Sequence, residues 1–359
     1  MTHQPIAQTN EPSAEPSAEQ ADLPRRGFLG AAIGLGAMAA PLGSSAQTKP
    51  TALAPVKGTE HWVVKRADGK DVRLFMWHKR LAQPTAPSRG TLLFVHGSSV
   101  SSTPVYDLQV PGRDDASLMD WFARLGYDTW CFDCEGYGRS DKTRPVNADV
   151  ACGADDLEVV SEAIMKLNGG RPLMVYGSSS GALRAALFAQ RQPTRVARLV
   201  LDAMVWTGEG SPTLAERRKR LPNYLASNRR PIDRNMIRSI FTRDHPGTSD
   251  LSVVEAFADA VLALDDSMPT GTYIDMSSKL PVCDPAQINV PVMILRGQFD
   301  GIATERDVLS FFEKLPSPDK QVVIMPGIAH SSTRSKNYKV VYHLLERCFS
   351  QPEPLYRGA

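Results

Sequence analysis

Short, unbroken apolar runs recur along the chain: TLLFVH at 91–96, DTWCFD at 128–133, PLMVY at 172–176, VARLVLD at 196–202, VPVMIL at 290–295 and QVVIM at 321–325. Runs of this length without polar alternation suit strands covered on both faces. Between them, apolar positions return at helical spacing, and the pattern predicts helices over 117–125, 155–167, 182–190, 305–315 and 339–349. Upstream, HWVVKR at 61–66 and VRLFMWHKR at 72–80 flank Ala67-Asp68-Gly69-Lys70, and Asp-Gly between two such runs predicts a tight hairpin. Strands alternating with helices predict an α/β fold with a mostly parallel central sheet flanked by helices.

One interval breaks the alternation. Residues 205–288 hold no strong buried-strand run but carry LAERRKRLPNYL, DRNMIRSIF and LSVVEAFADAVLAL, all of helical character. The interval is too long for a plain loop. It is expected to be a helical cap inserted after the sixth strand, leaving 47–204 and 289–359 as the core domain. No internal repeat is visible.

The first 46 residues have a different character. Residues 1–22 are rich in Pro, Ser, Glu, Gln and Ala without an apolar face, the composition of a disordered tail. Arg25-Arg26 then precede Gly27, Phe28, Leu29 and a mild Gly/Ala-rich run, with small residues at Ser44-Ser45-Ala46. The run is too short and too weakly apolar for a stable membrane span. The order of basic pair, apolar run and small residues resembles a twin-arginine export signal, which implies the twin-arginine translocation machinery as partner, a mature chain starting near Gln47 and a periplasmic or secreted location. Such a compartment permits disulfides. The five cysteines, Cys131, Cys134, Cys152, Cys283 and Cys348, are odd in number, so at least one is free or pairs between chains.

Composition narrows the class. Of 359 residues, 42% are hydrophobic and 22% charged, the balance of a soluble globular protein. A formal net charge of +2 is too small for a general nucleic-acid or membrane binder.

The chemistry concentrates at strand ends. Gly177-Ser178-Ser179-Ser180-Gly181 matches G-x-S-x-G, follows an apolar run and opens a helix, as a nucleophile elbow requires. The turn brings backbone segments so close that the flanking positions must be small, and it lifts Ser179 to the tip. A serine hydroxyl needs a base to take its proton, and the base needs an orienting carboxylate. VMILRGQFDGIA supplies Asp300 and VVIMPGIAHSS supplies His330, each just beyond the end of a strand, in the order Ser, acid, His.

These residues carry a resemblance. With FVHGSS, DCEGYGRSD, GSSSG, LRGQFDGIA and PGIAHSS in order, residues 61–349 resemble the α/β-hydrolase superfamily. The resemblance implies the α/β-hydrolase fold, with Ser179 as nucleophile, His330 as general base then acid, and Asp300 as orienter. It also implies an oxyanion hole from the backbone N–H groups of Ser98 and Ser180. HGSS is not the HGGG of some lipases, and a serine at the elbow argues against epoxide hydrolases and haloalkane dehalogenases. The expected activity is hydrolysis of a small-molecule carboxylic ester or lactone through an acyl-enzyme, with no cofactor or metal. Amide hydrolysis, C–C bond hydrolysis and perhydrolysis use the same triad, and a non-catalytic binding protein on this fold is a further alternative.

Neighbouring residues have plainer readings. His96 is expected to shape the oxyanion loop, and His245 in the cap could touch substrate. Asp202, after the strand that leads into the cap, is the competing acid. Cys131 and Cys134 form C-x-x-C across a strand end, with neither the helix start of a redox motif nor further ligands at metal spacing. Between 211 and 243 the cap carries Arg217, Arg218, Lys219, Arg220, Arg229, Arg230, Arg234, Arg238 and Arg243 against only Glu216 and Asp233. This is either a solvated face or a cleft that holds a carboxylate of an anionic substrate. No other substrate-binding residue is singled out.

Overall fold

The first hairpin shows how closely local sequence dictates geometry. In the computed structural model, which describes residues 53–356, β1 (Val56–Ala67) and β2 (Lys70–Leu81) pair antiparallel in one continuous register. Asp68 and Gly69 both take positive φ, as a type I′ turn demands. The tail and export signal with its cleavage site lie outside the described residues.

The remaining strands of the main sheet are β3 (Thr91–Val95), β4 (Asp128–Phe132), β5 (Leu173–Ser178), β6 (Val196–Asp202), β9 (Val292–Gly297) and β10 (Lys320–Met325). The sheet has eight strands in the order β1-β2-β4-β3-β5-β6-β9-β10. Only β1–β2 and β2–β4 are antiparallel; every pair from β4 to β10 is parallel. Every residue of β3 and β9 is buried, as the apolar runs 91–95 and 292–295 require, and the burial of β9 extends to Arg296. The flanking helices are α2 (Leu118–Arg124), α3 (Val150–Leu167), α4 (Ser180–Arg191), α10 (Glu305–Lys314) and α11 (Tyr338–Phe349), with a short α1 (Ser102–Tyr106) after β3. Their starts follow sequence chemistry: Ser117, Asp149 and Thr304 each accept a backbone N–H bond as N-caps. The architecture is the α/β-hydrolase fold.

Between β6 and β9 the chain forms α5 (Pro212–Lys219), α6 (Leu221–Leu225), α7 (Arg234–Thr242), α8 (Leu251–Leu262) and α9 (Gly271–Ser278). A two-stranded ribbon, β7 (Arg229–Pro231) with β8 (Ser267–Pro269), also lies here. Neither the ribbon nor α1 announces itself in sequence, because each is too short to show a period. The stretch LAERRKRLPNYL is helical as expected but divides into two helices at Arg220, two residues before Pro222. The chain leaving β6 is pinned by the Asp307 carboxylate, which accepts bonds from the backbone N–H groups of Trp206, Thr207 and Gly208 and from the Thr207 hydroxyl.

Candidate active site

The elbow forms because two positions have no room for a side chain. A Cβ on Gly177 would strike the backbone of Gly181 and Ala182, and one on Gly181 would strike the carbonyls of Val95 and His96. Between them Ser179 sits at φ 58° and ψ −126°, a conformation that L-residues rarely adopt. Its N–H is held by the Asp202 carbonyl at 2.9 Å. Ser179 occupies the N-cap position of α4, yet its side chain makes no capping bond, so its hydroxyl is left for another partner.

That partner is His330. Its Nε2 lies 3.0 Å from Ser179 Oγ, and its Nδ1 lies 3.0 and 3.1 Å from the two oxygens of Asp300. Asp300 Oδ1 also accepts the backbone N–H groups of Ile302 and Ala303, which fix the carboxylate. The side chain of Arg296 bonds the carbonyls of Asp300 and Ala303 and braces the loop. Asp202, the competing acid, is fully buried but faces elsewhere: its Oδ2 accepts Tyr176 Oη at 2.6 Å and Ser332 Oγ. Burial raises its pKa to about 6, against the hydrogen bonds from Ser332 and Tyr176.

The loop after β3 approaches the same point. His96 is buried; its Nδ1 contacts the Gly97 carbonyl at 2.9 Å and its Nε2 accepts Cys134 N–H at 3.0 Å. Burial, with Arg184 nearby, lowers its pKa to about 3, so it stays neutral and shapes the loop as expected. Ser98 Oγ donates to Ser180 Oγ at 2.8 Å, joining this loop to the first turn of α4. No hydrogen-bond acceptor engages the N–H of Ser98 or Ser180 among the described residues.

The space above Ser179 is a narrow pocket of about 60 Å³ whose lining includes Ser98, Ser179, His330 and the cap residues Arg217, Arg243 and Tyr273. It adjoins a wider cleft of about 850 Å³ that shares Arg217, Ile240, Arg243 and Tyr273. The structure sorts the cap cations. Arg234 and Arg238 pair with Glu255 on an exposed face, and Arg229 bonds the Gly136 and Ser267 carbonyls. Arg243 forks onto Asp244 at 2.8 Å twice, and Lys219 pairs with Glu216. Arg217 and Arg230 lie over the Tyr273 ring at 4.4 and 4.2 Å.

His245 stacks on Phe299 at 3.9 Å and does not line either space. All five cysteines are free, with Cys131 and Cys134 buried in the core. Four residues at the site escaped sequence reasoning: Arg184, Tyr273, Asp244 and Arg334. Arg184 is buried and donates to the His96 carbonyl at 3.1 Å, and Arg334 donates to the Val105 carbonyl at 3.3 Å. Nothing local marks these four, although an arginine directly after GSSSGAL, in a helix that must pack on the sheet, is a signal that could have been weighed.

Comparisons with known proteins support the fold. The profile of the family described as "Serine aminopeptidase, S33" matches residues 86–337. No curated protein matches the chain. Among solved structures, a soluble variant of monoglyceride lipase from Saccharomyces cerevisiae is 19% identical with TM-score 0.62, covering 84% of this chain and 97% of its own. A monoacylglycerol lipase from Paleococcus ferrophilus is 17% identical with TM-score 0.55, covering 78% and 99%. A thermophilic esterase from Thermogutta terrifontis is 20% identical with TM-score 0.55, covering 80% and 97%. At these identities the solved structures speak for the fold, and the family match spans most of the chain. The chain belongs to the serine aminopeptidase S33 family, within the α/β hydrolases.

Proposed function

We propose that this hydrolase cleaves a carboxylic ester or lactone through an acyl-enzyme on Ser179. One observation carries the reading: a single imidazole, His330, reaches Ser179 Oγ with one nitrogen and the Asp300 carboxylate with the other, both at 3.0 Å. In the proposed course, His330 Nε2 takes the hydroxyl proton as Ser179 Oγ attacks the carbonyl carbon. The N–H groups of Ser98 and Ser180 receive the oxyanion, and His330 returns the proton to the departing alcohol. A water then attacks the acyl-serine with His330 as base, releasing the acid and restoring Ser179. Asp300 holds the imidazole in the tautomer with its proton on Nδ1.

The family description favours a second reading, removal of an N-terminal residue by amide hydrolysis. Such a substrate brings an ammonium group that an acidic side chain should receive. The lining of this cleft offers Arg217, Arg220, Arg230 and Arg243, while its Glu216 and Asp244 are already paired with Lys219 and Arg243. A cationic cleft repels an ammonium group, which supports ester cleavage. The fold resemblance to proteins named lipases and esterases points the same way.

The test is labelling with a fluorophosphonate, with the adduct mapped by mass spectrometry. An adduct on Ser179, lost in Ser179→Ala and reduced in His330→Ala, supports the mechanism. No adduct on folded protein overturns it. Faster turnover of aminoacyl nitroanilides than of nitrophenyl esters would replace the ester reading with the peptidase one.

Arg25-Arg26 and the run after them support export to the periplasm or beyond. Replacing both arginines by lysine is expected to keep the precursor in the cytoplasm; unchanged export overturns this.

A further inference from the structure

Three arginines line the pocket around Ser179: Arg217, Arg243 and Arg334. Arg243 has its own carboxylate, Asp244. The Arg217 guanidinium has no acidic partner and no hydrogen-bond partner among the described residues, and it alone of these three reaches from the pocket into the wider cleft without a carboxylate beside it. Beside it, Arg230 donates to Ser99 Oγ at 2.8 Å, leaves its Nε buried without a partner, and likewise lies over Tyr273. Two guanidinium groups over one ring, with no carboxylate, repel each other in a partly desolvated place. Burial lowers the Arg217 pKa, with Arg243 and Arg230 adding repulsion against attraction from Tyr273. The Tyr273 hydroxyl, which touches Ser99 Oγ at 3.0 Å, shows the field from the other side. Burial alone would raise its pKa, yet Arg217 and Arg230 bring it down to about 7.

We propose that Arg217, with Arg230 beside it, receives a carboxylate of the substrate, so that the preferred ester carries a free carboxylate, as a monoester of a dicarboxylic acid does. The guanidinium fork matches a planar carboxylate with two parallel bonds. A carboxylate held there places the rest of a short acyl chain toward the pocket that contains Ser179, since Arg217 borders both spaces. The substrate assignment rests on the serine-hydrolase reading above; the anion site does not.

The test compares mono(4-nitrophenyl) glutarate with its neutral methyl ester, following nitrophenol release. Wild type is expected to favour the anionic ester by about tenfold or more in kcat/KM, the size of a charge-assisted bond pair, with the preference shrinking as salt rises. Arg217→Gln should lower kcat/KM for the anionic ester by about tenfold more than for the neutral ester, which erases the preference; Arg217→Lys should keep part of it. Equal kcat/KM for the two esters in wild type at low salt overturns the proposal, as does an unchanged ratio in Arg217→Gln. Calorimetric titration of glutarate into Ser179→Ala protein reads the same site without turnover. Binding that disappears on adding Arg217→Gln supports the anion site even if neither ester is cleaved, in which case the serine-hydrolase reading fails alone. No glutarate binding overturns the anion site.

Discussion

Ser98 Oγ donates a 2.8 Å hydrogen bond to Ser180 Oγ, so the two residues whose backbone N–H groups are proposed to receive the oxyanion are tied to each other by their side chains. The bond spans the loop after β3 and the first turn of α4, and it fixes the distance between the two donors. Removing it leaves both N–H groups present but free to drift. Ser98→Ala is therefore expected to lower kcat by about tenfold with little change in KM, because a one-ångström misplacement weakens the transition state more than the ground state. A boronate that mimics the tetrahedral adduct should lose affinity in parallel. Unchanged kcat and boronate affinity would remove the side-chain bond from the mechanism.

The acid is decided by which carboxylate faces the imidazole. Asp300 contacts His330 Nδ1 with both oxygens, whereas Asp202 is turned to Tyr176 and Ser332. Asp300→Asn should keep the fold and favour the wrong imidazole tautomer, with turnover falling on the order of a thousandfold or more. Near wild-type turnover in Asp300→Asn, together with an inactive Asp202→Asn, would reverse the assignment.

Asp202 is expected to show itself in stability rather than in turnover. Its folded pKa of about 6 stands above the ordinary carboxylate value of 3.8. A raised pKa means that the protonated carboxyl suits the fold: its contribution is complete below about pH 4 and is lost as pH rises through about 6. Asp202→Asn cannot ionise, so the stability of the variant relative to wild type should climb across this window, by up to the order of 3 kcal/mol, and level off above it. Urea unfolding of both proteins at several pH values measures this. A difference that does not change with pH would place the ionised form in the fold.

Strain at the elbow gives a third contrast. Ser179 holds φ 58° and ψ −126° without a Cβ-tolerant basin. Ser179→Ala removes the nucleophile and keeps the strain, while Ser179→Gly removes both. The glycine variant should be more stable by about 1 kcal/mol once the entropy of the unfolded glycine is offset, and so unfold at a higher denaturant midpoint. Equal midpoints would mean the turn stores nothing.

Much of the core was legible because its code is local. Each buried strand needs an unbroken apolar run, the hairpin needs Asp-Gly, and the elbow needs small residues on either side of Ser179. The same logic made Ser179, Asp300 and His330 candidates, since a parallel sheet gathers whatever ends its strands, and the structure brings these three side chains together. The short ribbon β7–β8 and helix α1 were not legible, because their pairing and burial come from partners far along the chain. The cap shows the division most sharply. The sequence by itself determined that residues 211–243 would carry nine cations against two acids. Only the tertiary structure decided which would be neutralised: Arg234 and Arg238 meet Glu255, Arg243 meets Asp244, and Arg217 meets no acid and lines the pocket above Ser179. Counter-charges are found in three dimensions, and a linear pattern carries the charge of a residue but not the side chains that packing sets against it.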